Sequence, residues 1–122
     1  MTMLTDETVR YLAATAVIAG VFGMRDKALL ISDALVSALP DNVVAQLIAA
    51  SARLAAGQKR ESEKILREKV LAVDPDRTIA KALLGMAHDM MQNFGERDKM
   101  VAEVLEAGDD ADAIQLVKEL AK

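Results

Sequence analysis

The sequence predicts an all-α fold, three helical hairpins stacked one on the next and closed by a C-terminal capping helix. Three observations predict it. Pro40 and Pro75 stand 35 residues apart, and each closes a stretch that reads helix, glycine-bearing turn, helix. The text before each proline is alike, Val36-Ser37-Ala38-Leu39-Pro40-Asp41 against Leu71-Ala72-Val73-Asp74-Pro75-Asp76, and a fresh amphipathic segment follows each. Composition agrees: 52% of the residues are apolar, and Tyr11, Phe22 and Phe94 are the only aromatics. That mixture suits close-packed helix pairs and not strands. A helix-turn-helix unit recurring at about 34 residues marks a solenoid, in which each hairpin buries its apolar face only against its neighbours.

The elements follow in order. The first helix starts at Thr5 or Asp6, either of which can cap it, and runs to about Phe22, where Gly23 ends it. Asp26 begins a second helix through Leu39, with Ala28, Ile31, Leu35 and Leu39 forming its buried stripe at spacings of three and four. Pro40 cannot continue the ladder. Asp41 caps a third helix to Ala56, stopped by Gly57. The fourth, about Gln58 to Val73, turns Leu66, Val70 and Val73 inward and carries Glu63–Arg67 and Lys64–Glu68 pairs on its outer face. Asp74 and Pro75 start a fifth helix reaching about Asn93, since proline is tolerated in a first turn. A sixth runs from Glu96 to Ala107 and stops at Gly108. Asp109 or Asp110 caps a seventh, whose one-sided stripe of Ile114, Val117 and Leu120 fits a capping helix. The hairpins therefore span roughly 5–40, 41–74 and 75–108, with the capping helix at 109–122, all in one domain.

Charge and chemistry exclude several classes of function. A net charge of -4 argues against a nucleic-acid surface, which needs clustered Lys and Arg. The absence of Cys suits a reducing cytoplasm. The longest uncharged run, Tyr11 to Met24, has 14 residues, short of the roughly 20 of a membrane-spanning helix, and the acids Asp6 and Glu7 precede it where a signal peptide would be basic. His88 is the only histidine and has no second His or Cys to complete a metal site. It also leaves the serines and threonines without an adjacent base, so no catalytic residue is expected. Asp109, Asp110 and Asp112 lack the glycine and distal Glu of a calcium loop and read as helix-capping acids. Gly20 and Gly23 are no phosphate loop, since no strand precedes them and no Lys-Ser or Lys-Thr follows. Lys59, Arg60, Lys64, Arg67 and Lys69 are interleaved with Glu61, Glu63 and Glu68, a solvated face. No cofactor is implied.

Gly23, Ala28 and Pro40 keep the intervals between turn glycine, small residue of the second helix and closing proline that mark a tetratricopeptide repeat. Leu84-Gly85 resembles the Leu-Gly pair in the first helix of such a repeat. The departures are a missing Trp, a Gly57 placed one residue early relative to Pro75, and a Gly95 about three residues later than Leu84-Gly85 predicts. The resemblance implies a right-handed superhelix whose concave surface is lined by the first helix of each hairpin. Mapped onto this chain, the concave positions are Ala13, Val17, Gly20 and Val21, then Ala45, Ile48, Ala52, Ala55 and Ala56, then Ile79, Ala82, Met86 and Met90. Such a groove is small and apolar, suited to the apolar face of an amphipathic helix and adaptable through its methionines. The alternative is that these residues close the core of a tightly wound stack. Acidic tails are not the expected ligand, because Ala13 and Val17 stand where a carboxylate clamp would place Lys or Asn.

In size, acidity and architecture the whole chain resembles the tetratricopeptide-type chaperones of bacterial type III secretion, in particular those that hold the needle subunit. That resemblance implies a cytoplasmic chaperone that covers an amphipathic helix of a self-assembling subunit and prevents premature polymerisation, with a small helical co-chaperone as a further partner. It also implies self-association when the partner is absent, since an empty groove is an apolar patch. A general tetratricopeptide adaptor in another pathway is the second reading, and an enzyme on a helical frame the third.

Overall fold

A computed structural model describes residues 25–120, and the expected first helix, with Ala13, Val17, Gly20 and Val21, lies outside them. The described residues are mostly helical: α1 Arg25–Ala38, α2 Val43–Ala55, α3 Lys59–Ile65, α4 Thr78–Met90, α5 Phe94–Ala107 and α6 Ala111–Leu120. α3 runs on without a break into a π-helical segment, Leu66–Leu71.

Contacts follow chain order, each helix packing on the next. In addition α2 touches α4 and α4 touches α6, whereas the described odd-numbered helices do not touch one another. The described helices therefore form two layers, the even-numbered ones, here termed the inner helices, touching in succession along one of them. The largest cluster joins Ala50 of α2, Leu66 and Val70 of the π segment that continues α3, Ala80 and Leu84 of α4, and Met100 of α5. α1 meets α2 through Leu35, Ala45 and Ile48 and through Ala28 and Ala52, with Ile31 and Leu39 half-buried beside them as the periodicity predicts. α6 lays Ala113 and Val117 on Ala82 and Val104. Gly85 lets α5 approach α4, since a Cβ there would lie 3.3 Å from the Met100 Cβ.

Two helix ends are alike. The N–H groups of Gly57 and Gln58 reach back to the carbonyls of Leu54 and Arg53, and those of Gln92 and Asn93 to Asp89 and His88, closing a Schellman turn on α2 and on α4. The αL residue is Gly57 in the first turn but Gln92, at φ 61°, in the second. This corrects the expectation placed on Gly95, which lies inside α5. Because a side chain at positive φ is strained where glycine is not, Gln92→Gly is expected to raise the unfolding free energy by up to about 1 kcal/mol, read in a denaturant titration; a loss would mean the turn is held by the Gln92 side chain.

Gly57 stands eighteen positions before Pro75, against seventeen from Gly23 to Pro40, and the helix between Gly57 and Pro75 ends in the π segment. Val73 lies in the turn beyond Leu71 and is 68% exposed while Leu66 and Val70 are buried, so Val73 does not belong to the inward face.

Other boundaries shift by a few residues for local reasons. Asn42, not Asp41, caps α2, accepting from the Ala45 N–H at 3.0 Å. α4 starts at Thr78 after a turn at Pro75 and ends at Met90, shorter than expected. Asp110 caps α6, accepting from the Ala113 N–H at 3.0 Å. Of the two expected pairs on α3, Glu63–Arg67 forms at 3.6 Å. Arg97 ties α5 to α4 through Asp89 at 2.9 Å and stacks 4.6 Å over Phe94; its hydrogen bonds to Asp89 and then Asp98 hold its guanidinium above the usual pKa.

Candidate functional site

Among the described residues the inner helices keep one apolar stripe partly exposed. An α-helix turns 100° per residue, so α2 divides into three faces. Val43, Leu47, Ala50 and Leu54 turn toward α3 and α4, and Ala45, Ile48 and Ala52 toward α1. Between them run Val44, Ser51 and Ala55, at spacings of seven and four; Val44 and Ala55 are exposed and Ser51 half-buried. On α4 the corresponding stripe is Ile79, Met86 and Met90, all half-buried, with Leu83 beside it packed on the central cluster.

This arrangement corrects part of the expected groove. Ala45, Ile48 and Ala52 are buried against α1, and Ala82 is enclosed by α5 and α6. Each inner helix is covered on two flanks in a stack, which leaves those four no open side. Ala55, Ala56, Ile79, Met86 and Met90 keep some exposure. Val44 and Ser51 join the open stripe although the consensus positions omit them. Their signal was present: residues i, i+7 and i+11 of a helix share a face, and Ala55 already lay on it.

A cleft of about 300 Å³ at the start of α4 is walled by Asp74, Asp76, Arg77, Thr78 and Asp109, among others. Inside it the Thr78 hydroxyl donates to Asp109 at 2.7 Å, tying the α5–α6 turn to α4, and Arg77 pairs with Asp74 at 3.6 Å. Among the described residues no group of three or more His, Asp or Glu could hold a metal ion, and no helix is long and apolar enough to cross a membrane. His88 is buried.

No protein-family model, curated protein or solved structure matches the chain. Ser62 donates from α3 to the Ala50 carbonyl of α2 at 2.8 Å, and Gln46 to the Pro40 carbonyl at 2.8 Å. The first bond ties α2 to α3 and the second ties it to the turn that precedes it.

Proposed function

We propose that this chain is a tetratricopeptide-type chaperone that holds an amphipathic helix of a self-assembling subunit, of the type III secretion needle class, against the open stripe of its inner helices. One observation carries the reading: α2 and α4, which touch, each keep a partly accessible apolar stripe on one flank while their buried flanks pack against neighbouring helices. Two neighbouring stripes of this kind fit a single guest helix. The alternation of touching inner helices and separated outer helices supports a superhelix closed by α6. Small Ala55 and Ser51 admit a backbone closely, and Met86 and Met90 reshape to the side chains that arrive. Each aliphatic anchor buried there contributes about 1.5–3 kcal/mol, and covering the guest's apolar stripe removes the surface through which it polymerises. A general adaptor for another helical partner is the alternative.

The test is light scattering of a purified self-assembling helical needle subunit, with and without the purified protein. The wild type is expected to suppress assembly at equimolar ratio and to melt at higher temperature with its guest bound. Met86→Glu combined with Met90→Glu is expected to weaken binding about a hundredfold or more, since a desolvated carboxylate lacks a partner, with the fold retained. Unaltered assembly kinetics would overturn the chaperone reading and leave the adaptor; full activity of the double variant would move the site off α4.

A further inference from the structure

The sequence has no cysteine, so its oxidisable sulfur is the thioether of methionine. Four methionines fall among the described residues, and their surroundings differ. Met86 and Met90 are half-buried and stand one helical turn apart on the open stripe of α4, in line with Ile79. Met91 is half-buried at the C-cap of α4, and at 100° per residue it falls on the flank of Ala80, Leu84 and Ala87 instead. Met100 of α5 is 7% exposed inside the central cluster with Leu66, Ala80 and Leu84, against the bare face of Gly85.

A thioether that hydrogen peroxide can reach becomes a sulfoxide. The sulfur lone pair attacks one peroxide oxygen, the O–O bond breaks and an S–O bond forms. The leaving hydroxide takes the proton from the new S–OH and departs as water, so sulfur is oxidised by two electrons and the peroxide is reduced by two. The product carries a strong acceptor where an apolar atom stood. On the stripe that oxygen can reach water, and the fold survives. Under a guest helix it is desolvated without a donor, which opposes binding. Met100 has no such outlet, and its packing keeps the oxidant away.

We propose that Met86 and Met90 form a reversible oxidation site through which a peroxide closes the open stripe to its guest. Their spacing of four residues puts both sulfoxides on one face, so the α4 half of the stripe turns polar as a unit while the core around Met100 keeps its packing. A sulfoxide reductase, which returns the thioether while oxidising a dithiol to a disulfide, reopens it. The effect on binding rests on the chaperone reading; which sulfurs oxidise first does not.

The full chain is treated with hydrogen peroxide, and each methionine is followed by peptide mass spectrometry. Met86 and Met90 are expected to gain one oxygen each well ahead of Met100, with the helical signal and the melt retained. Affinity for a purified helical needle subunit is expected to fall at least about tenfold, the equivalent of one aliphatic anchor, and to return after treatment with sulfoxide reductases and a dithiol. Met86→Leu combined with Met90→Leu, whatever its starting affinity, is expected to show no further change on treatment, whereas Met91→Leu keeps the sensitivity. Oxidation of Met100 as fast as the other two, oxidised protein that binds as tightly as untreated protein, or a leucine pair that still loses affinity would each overturn the proposal. Untreated protein that binds no subunit would sink the chaperone reading and the effect on binding with it, and the oxidation site would then stand or fall on the mass spectrometry.

Discussion

Ala82→Glu is expected to prevent folding. Ala82 has no exposure and is enclosed by Val104, Ala113 and Val117, so a carboxylate there has neither water nor a cation within its cluster. An unpaired buried charge costs several kcal/mol even after relaxation, comparable with the whole stability of a domain this size. Circular dichroism should show loss of the helical signal or of the cooperative melt. Ala55→Glu is the control: Ala55 lies on the open stripe and is exposed, so this variant should fold with a near-unchanged melt and fail only in binding. A well-folded Ala82→Glu protein would mean that α6 does not close over α4, and would return Ala82 to the groove.

Leu66→Ala is expected to lower the unfolding free energy by about 2–5 kcal/mol. Leu66 is fully buried in the cluster that joins α2, α3, α4 and α5, and it stands at the first position of the π segment. The loss combines the transfer term with a cavity that four helices cannot easily fill. In denaturant the midpoint should fall with little change in slope, because the same surface is exposed on unfolding. A loss below about 1 kcal/mol would show that the wider turn lets the outer helix collapse into the vacancy.

The described helices were legible in the sequence because their starts and stops rest on local physics. Pro40, Gly57 and Gly108 punctuate the chain through their own backbone restrictions, Gly57 and Gly108 at positive φ, and the stripe Ala28, Ile31, Leu35, Leu39 declares an inward face by spacing alone. The partners of each face left no such trace. Periodicity shows that α2 has apolar residues on several sides, but not that α1 covers Ala45, Ile48 and Ala52 while Val44, Ser51 and Ala55 stay open. Nor could spacing place Gln92 at positive φ, where a Schellman turn imposes the conformation on a residue that does not favour it.

By itself, then, the sequence determined the described helices, their turns and their apolar stripes, since these depend on residues within about one helical turn of each other. Only the tertiary structure decided which stripe stays open, which alanines are core and which charges meet His88. Those outcomes depend on helices packed from distant parts of the chain, and Glu63 and His88 touch because α3 and α4 are stacked, not because of any local pattern that either residue carries.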